Sequence, residues 1–539
     1  MHTVKRVLLI EPPVTRPPEF SAAKVRVSPF FPLGLAYLAA ALREKGYETA
    51  ILDALVAGFE KGERPYTNGW LRYGLSDDEI AARIQAYKPD VVGVGAIFSA
   101  KDYDAKNICR ISKRVYPDVP TVVGGAHAGA AHREILAAER AVDFVVIGEG
   151  EESGPALLEA LTAGGGYDKV DGLGYRSGGA VHTNPKSRYI QDLDSLPLPA
   201  RDMVIMQDYF RLGYAHDRYR QKPFAQMITS RGCPFKCTFC AIGNHWGPVQ
   251  RLRSAESVLA EIDVLVNEYG VREIHFEDDN LTADKQRALR IFSGLRKRKH
   301  PITWTVPTGM AVAHLDAELL ESMAGSGCYS VTLAIESGNQ DVLKRLMRKP
   351  VNLQKVPGLV KEIRRNGMLA KGFFMLGYPG ETKETISQTV ACAKALELDW
   401  AFFFITTPLP YTEMYQTALR DGYIQIGDFN PLTSLHESII RTPEFTNEYL
   451  AQVREEAIVD INFRNNPNLV KFNVDQAIAD FEYVLSLYPH FDFAQEALGD
   501  AHLRKGCLEK ARACWQRALA LNPHNTRAAA SLKAHEGKG

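Results

Sequence analysis

Long apolar runs are missing from this sequence. No stretch approaches the roughly eighteen residues that a membrane span needs, so none is expected. The short apolar run at 7–10 meets Glu11, Pro12 and Pro13 instead of a small-residue cleavage site, the wrong form for a secretory signal. A cytoplasmic protein is expected. An excess of charge is missing too: 64 basic and 64 acidic residues cancel, which removes the global attraction that nucleic-acid binders show. Cysteine is scarce, eight in 539 residues, far from the density of a disulfide scaffold.

What is present is ordinary globular material, 45% hydrophobic and 24% charged, over a length that calls for several domains. From 5 to 163, short β-branched runs (7–10, 49–52, 90–95, 121–123, 144–147) alternate with helical patterns (32–45, 78–87, 105–115, 133–138). That alternation predicts an α/β domain, a doubly wound parallel sheet over 1–163. Ligands of such sheets bind beyond the carboxyl ends of the strands. The turns there would be EPP at 11–13, FSA at 98–100, GGAHAG at 124–129 and GEGEE at 148–152.

Residues 164–222 are turn-rich and proline-rich, read as a linker with a small β-element. Over 223–410, six candidate strands (227–229, 273–276, 303–306, 331–335, 372–376, 401–405) alternate with helix-sized intervals. They predict a partial (β/α)6 barrel with its chemistry on the loops after the strands. Residues 411–466 would close the barrel mouth. In the tail, 467–539, Ala477 pairs with Ala511, Phe481 with Trp515, Leu485 with Leu519 and Pro489 with Pro523 at a period of 34 residues. That pattern resembles the tetratricopeptide repeat. Such a tail is either a groove for a protein or peptide partner or a helical cap on the body, and the sequence favours neither.

Three of the eight cysteines crowd into SRGCPFKCTFCAIG, 230–243. Three thiolates at C-x3-C-x2-C can hold three irons of a cubane cluster and leave the fourth open. Zinc is the rival, with His245 as a fourth ligand. Cys109, Cys328, Cys392, Cys507 and Cys514 are scattered and read as small buried hydrophobes.

The motif Cys233, Cys237, Cys240, with Phe239 before the last cysteine, resembles the signature of the radical S-adenosylmethionine superfamily. The resemblance implies a [4Fe-4S] cluster whose open iron chelates S-adenosylmethionine, and a 5′-deoxyadenosyl radical formed by cleavage of its C–S bond. It also implies an electron donor such as flavodoxin or ferredoxin. Phe239 joins the S-adenosylmethionine contacts, and Asp278 and Asp279 match the family's site for the methionine amino end. Glu336 matches its ribose contact, and Gly377, Gly380 and Glu381 its adenine-lining stretch.

With the N-terminal module and the linker LDSLPLPARD, residues 5–410 resemble the cobalamin-binding branch. That branch implies cobalamin at the sheet edge, with Pro12, Ser99, Gly124, Gly125, Gly148, Glu149 and Gly150 as contacts. A D-x-H-x-x-G segment is absent, and His127 and His132 read as side chains without metal. Where relatives have P-x-P-G-T, this chain has PLPYT at 408–412, with Tyr411 in place of the small residue. The implied activity is methylation of an unactivated carbon, or of a phosphinate phosphorus, in a small-molecule or lipid substrate. Alternatives are a radical oxidative cyclisation of the anaerobic porphyrin cyclase type and a non-catalytic scaffold working through its helical tail.

Overall fold

The structure, a computed structural model, describes residues 3–21, 27–430 and 438–535. Part of the 411–466 extension, 431–437, lies outside them.

The N-terminal region is built on a seven-stranded sheet: β1 (Arg6–Glu11), β2 (Glu48–Asp53), β3 (Val91–Gly95), β4 (Thr121–Gly124), β5 (Phe144–Val146), β6 (Leu173–Ser177) and β7 (Ala180–Asn184), in the order β7-β6-β5-β4-β3-β1-β2. The first five run parallel. Helices cover both of their faces, which is why they read as continuous β-branched runs and not as alternating ones. The hairpin β6–β7 is antiparallel and joins the sheet beside β5. The small β-element expected in the linker is therefore the edge of the first sheet.

The second region is a partial barrel of six parallel strands: β8 (Phe224–Met227), β9 (Glu273–Phe276), β10 (Thr303–Thr305), β11 (Ser330–Glu336), β12 (Leu369–Leu376) and β13 (Trp400–Ile405). They form two three-stranded ladders, and the bridges Trp304–Cys328 and Met310–Leu333 connect the two across β10 and β11. Ile274, Phe276, Trp304, Leu333 and Phe374 point outward into the core beneath the helices, all fully buried. The first strand ends earlier than the 227–229 expected. Asp278 captures the Thr229 amide and hydroxyl, and this removes Thr229 from the ladder.

From the described parts of the extension, Met414, Phe445 and Leu450 pack on this core. The tail follows as helices Val474–Leu487, Asp492–Arg504, Leu508–Leu521 and Thr526–Ala534. Ala477, Phe481, Ala511 and Trp515, residues of the 34-residue period, are all buried. Cys109 and Cys328 are buried as expected, Cys392 and Cys514 are half-buried, and Cys507 is exposed because it occupies a helix N-cap.

Candidate active site at the junction of sheet edge and barrel mouth

The cysteine loop follows β8 and is tied down from several sides. Thr238, between two of the cysteines, donates its hydroxyl to Leu346 O at 2.8 Å and its amide to Met347 O at 3.1 Å. Its hydroxyl also meets the Tyr378 phenol at 2.5 Å, and the Met414 amide donates to its carbonyl. Loops after β11 and β12 and the C-terminal extension thus fix one residue of the motif. Burial pushes the Cys240 thiol up to about 11 and raises that of Cys237. Both remain protonated until a cation replaces the proton. The Asn280 amide approaches Cys233 Sγ at 3.7 Å, the kind of contact that tunes a cluster's potential.

Side chains alternate along β9 and beyond it, and this separates the two adjacent aspartates. Asp278 is fully buried under the loop, holding Thr229 and Ser230. Its carboxylate is engaged within the fold by these groups. Asp279 stands on the other side, accepts from the Gly232 amide at 3.2 Å and lies near Cys240. Burial and the neighbouring Asp278 push it up to about 6.

Glu336 ends β11 at a register irregularity with φ of 70°, a conformation non-glycine residues rarely adopt and one that recurs at functional sites. It pairs with Lys349 at 3.0 Å, and the Lys349 ammonium lies 5.6 Å from the Phe239 ring and beside Cys237 and Cys240. Nothing in the sequence near the motif marked Lys349, because the fold brings it in from the loop after β11. The Glu381 carboxyl turns back on its own loop, accepting from the Tyr378 amide at 2.7 Å, and Leu450 and Phe445 close over Gly377. Gly380 has Leu346 as its nearest neighbour. The LGYPGE stretch therefore shapes a turn, in which Glu381 Oε1 is buried without a hydrogen-bond partner.

Between the carboxyl edge of the first sheet and this loop lies a cavity of about 480 Å3. Gly124, Gly125, Gly148, Glu149 and Gly150 line it from the sheet, and Arg231, Ala241, Ile242, His245 and Trp246 from the cysteine side. Gly125, with φ of 113°, lets the backbone pass so near Ala96 that a Cβ would sit 2.7 Å from its carbonyl oxygen. Pro12 and Ser99 are not among the lining residues. Ser99 instead meets His127 Nδ1 at 3.0 Å. His127 also contacts Asp102, and His132 contacts Gly129 O and Thr183, so both imidazoles are satisfied within the fold.

Glu149 lines the cavity with its backbone, while its carboxylate bonds Arg231 at 2.8 Å, Arg251 at 2.6 Å and the Ile190 amide at 2.9 Å. Glu151 pairs with the same Arg231, whose guanidinium lies over the Trp246 ring at 4.9 Å. All four charged side chains are buried. Burial opposes ionisation of Glu151, yet Arg231 holds its carboxyl below the usual value. The acidic GEGEE turn is thus a clamp from sheet to cysteine loop.

His245 lines this cavity. Burial lowers it to about 4, and its Nδ1 has no partner. Among the described residues, no three or more His, Cys, Asp or Glu side chains converge as ligands of one ion do. Three thiols spread over a loop, a wide apolar cavity and unpartnered polar atoms on its wall fit a cluster and a large flat ligand.

A doubly wound sheet whose edge faces a three-cysteine loop at a barrel mouth defines the cobalamin-binding radical S-adenosylmethionine class. Residues 22–158 match the B12 binding domain, 227–393 the radical SAM superfamily and 493–525 the tetratricopeptide repeat. The chain is 33% identical to the cytidylyl-2-hydroxyethylphosphonate methyltransferase of Streptomyces wedmorensis, over 81% of this chain and 87% of that protein. It is 31% identical to the uncharacterized methyltransferase PH0819 of Pyrococcus horikoshii, over 86% and 93%. The anaerobic magnesium-protoporphyrin IX monomethyl ester cyclase of Rubrivivax gelatinosus is more distant, 29% identical over 74% and 68%. The cobalamin-dependent S-adenosylmethionine radical enzyme OxsB, solved with aqua-cobalamin and S-adenosylmethionine bound, shares the fold with a TM-score of 0.67 at 14% identity, over 99% of this chain and 81% of that one. The chain belongs to the cobalamin-dependent radical S-adenosylmethionine methyltransferase family. Its cofactors are a [4Fe-4S] cluster, S-adenosylmethionine and cobalamin.

Proposed function

We propose that this enzyme methylates an unactivated carbon of a small molecule, with Cys233, Cys237 and Cys240 holding the cluster. When bound, the cluster and cobalamin supply one-electron chemistry and a methyl carrier. The protein's residues bring the two together. The observation that carries this reading is the shared wall: residues following the cysteine motif and glycines at the sheet edge line one cavity. Methyl transfer to a substrate radical needs that proximity.

Asp279 and Glu336 with Lys349 are the polar groups in reach of S-adenosylmethionine at the open iron, and Gly124, Gly125, Gly148 and Gly150 those that let the corrin approach the backbone. An electron donor of the flavodoxin or ferredoxin class reduces the cluster. The cyclase reading loses ground because the cyclase relatives are the more distant ones.

Under anaerobic turnover the enzyme is expected to release S-adenosylhomocysteine and 5′-deoxyadenosine together with methylated product, measured by mass spectrometry. Turnover that yields deoxyadenosine and product without S-adenosylhomocysteine overturns methylation.

A further inference from the structure

Glu277 ends the alternation of β9 and belongs to none of the groups assigned above. Its amide makes the last bond to β8, to Met227 O at 2.9 Å, so its side chain stands at the mouth, on the same side of the strand as His275 and Asp279. One carboxylate oxygen meets His216 Nδ1 at 2.8 Å, and the other, Oε1, is buried with no hydrogen-bond partner. The His216 ring lies against Phe30, centroids 3.8 Å apart. Glu277, His216 and Phe30 all border the cavity between sheet edge and cysteine loop.

A buried carboxylate oxygen without a donor is unfavourable, and native folds leave few such atoms without a reason. A donor on a bound molecule would complete it.

A group of aromatic rings stands on the last two strands of the barrel. Phe373 on β12 contacts Phe402 and Phe404 on β13, with centroid separations of 5.4 and 5.7 Å. Phe404 is 51% exposed, although Ala401, Phe403 and Ile405 on the same strand are buried. The three rings therefore form an apolar patch on β12 and β13 with Phe404 open. Gly309 leaves room for Phe373, whose ring would lie 2.9 Å from a Cβ there.

We propose that Glu277, steadied by His216, anchors a hydrogen-bond donor of the substrate, a hydroxyl or an ammonium group, while the substrate's apolar part packs on Phe373, Phe402 and Phe404. The substrate class is a small amphipathic donor, and a phosphorylated or carboxylated group at this position is disfavoured by like charge at Glu277. The inference rests on the methylase reading and narrows it to substrates unlike the cytidylylated phosphonate in the name of the Streptomyces relative.

The test is binding of four probes to the full-length holoprotein: 2-phenylethylamine, 2-phenylethanol, phenylacetate and phenyl phosphate, measured anaerobically by equilibrium dialysis. The amine and alcohol are expected to bind at least about tenfold more tightly than the two anions, and Glu277→Gln to bring amine and phenylacetate within about threefold of each other while iron and corrinoid content hold. His216→Ala is expected to keep most of the amine preference, since the anchoring oxygen is on Glu277.

Equal or tighter binding of the anions, no binding of either donor, or a preference that survives Glu277→Gln overturns the proposal. Loss of corrinoid or S-adenosylmethionine binding in Glu277→Gln also overturns it, by assigning the carboxylate to a cofactor. Formation of S-adenosylhomocysteine by the wild type reports on the methylase reading separately.

Discussion

The two ends of the barrel are built differently. At the floor, Lys371 pairs with Asp217 at 2.7 Å, Arg218 with Asp480 at 2.6 Å, and Glu273 gathers His275, Thr303 and Tyr329. There Asn462 bonds both backbone groups of Ala401, and Asn466 and Asn468 bond Asp399. The helical tail docks on this side, through the rings of Phe463 and Phe481, 5.5 Å apart, and through Arg464 with Glu496 at 2.9 Å.

At the mouth, Glu336 and Tyr411 both hold left-handed backbone, each with φ of 70°. Among the described residues Glu277 Oε1, Glu381 Oε1 and His245 Nδ1 are buried there without partners and Phe404 lies open, while His275 Nδ1 is unpartnered at the floor. The Tyr411 phenol reaches across to Glu134 of the sheet domain. Paired charges and capped backbone belong to stability, and backbone strain at the strand ends belongs to function.

That contrast can be broken by experiment. The largest expected effect is at the clamp, a set of buried charge pairs near the mouth built like the floor. Glu149→Ala leaves Arg231 and Arg251 buried without their shared carboxylate, and a loss of about 3–5 kcal/mol in unfolding free energy is expected. Denaturant titration that shows less than about 1 kcal/mol would move the clamp to the functional side.

The Glu381 turn gives a medium effect with a pH signature. Burial pushes its carboxyl up to about 7, above the unfolded value, so the folded state holds a proton that the unfolded state has lost. Its stabilising share is full below about pH 4.5 and is lost as pH rises through 7. Glu381→Gln, which stays neutral, is expected to remove that decline, roughly 1–3 kcal/mol between pH 4.5 and 7.5 by thermal unfolding. An unchanged pH profile would show the group to be ionised throughout, as a ligand contact would require.

The smallest effect is at the tail. Arg218, about a third exposed, pairs with Asp480, and Arg218→Ala is expected to cost no more than about 1 kcal/mol. Turnover should stay unchanged, because the pair is on the floor. A drop in turnover would show that tail and mouth communicate.

Much of this was legible in the sequence, for physical reasons. Parallel strands buried on both faces leave unbroken β-branched runs such as 7–10 and 91–95, and strands at barrel positions such as β9 and β12 ended where their turn residues said they would. The cysteine motif was legible because its spacing is local. Functions of single carboxylates were not. Asp278 and Asp279 differ only in which side of the chain they leave, and a single residue of offset gives them different partners, Thr229 and Ser230 for one and the Gly232 amide for the other.

Glu149 looked like part of a ligand-binding turn because Arg231 and Arg251, which consume its charge, are 82 and 102 residues away. Lys349 carried no signal for the same reason. Glu277 carried one that was readable in principle: it is two residues from Asp279, and strand parity puts both on one side.

The central claim is that the sheet edge and the cysteine loop hold two cofactors in one continuous site. The most direct test is anaerobic reconstitution with iron, sulfide and hydroxocobalamin, with iron, sulfide and cobalt counted per chain, in the wild type, in Cys237→Ala and in Gly124→Trp, where a Cβ meets nothing nearer than Val146 at 3.9 Å. The account predicts a [4Fe-4S] complement and about one corrinoid in the wild type, loss of iron with corrinoid kept in Cys237→Ala, and loss of corrinoid with iron kept in Gly124→Trp. A wild type that takes up iron and sulfide but no corrinoid, or zinc without sulfide, would contradict it.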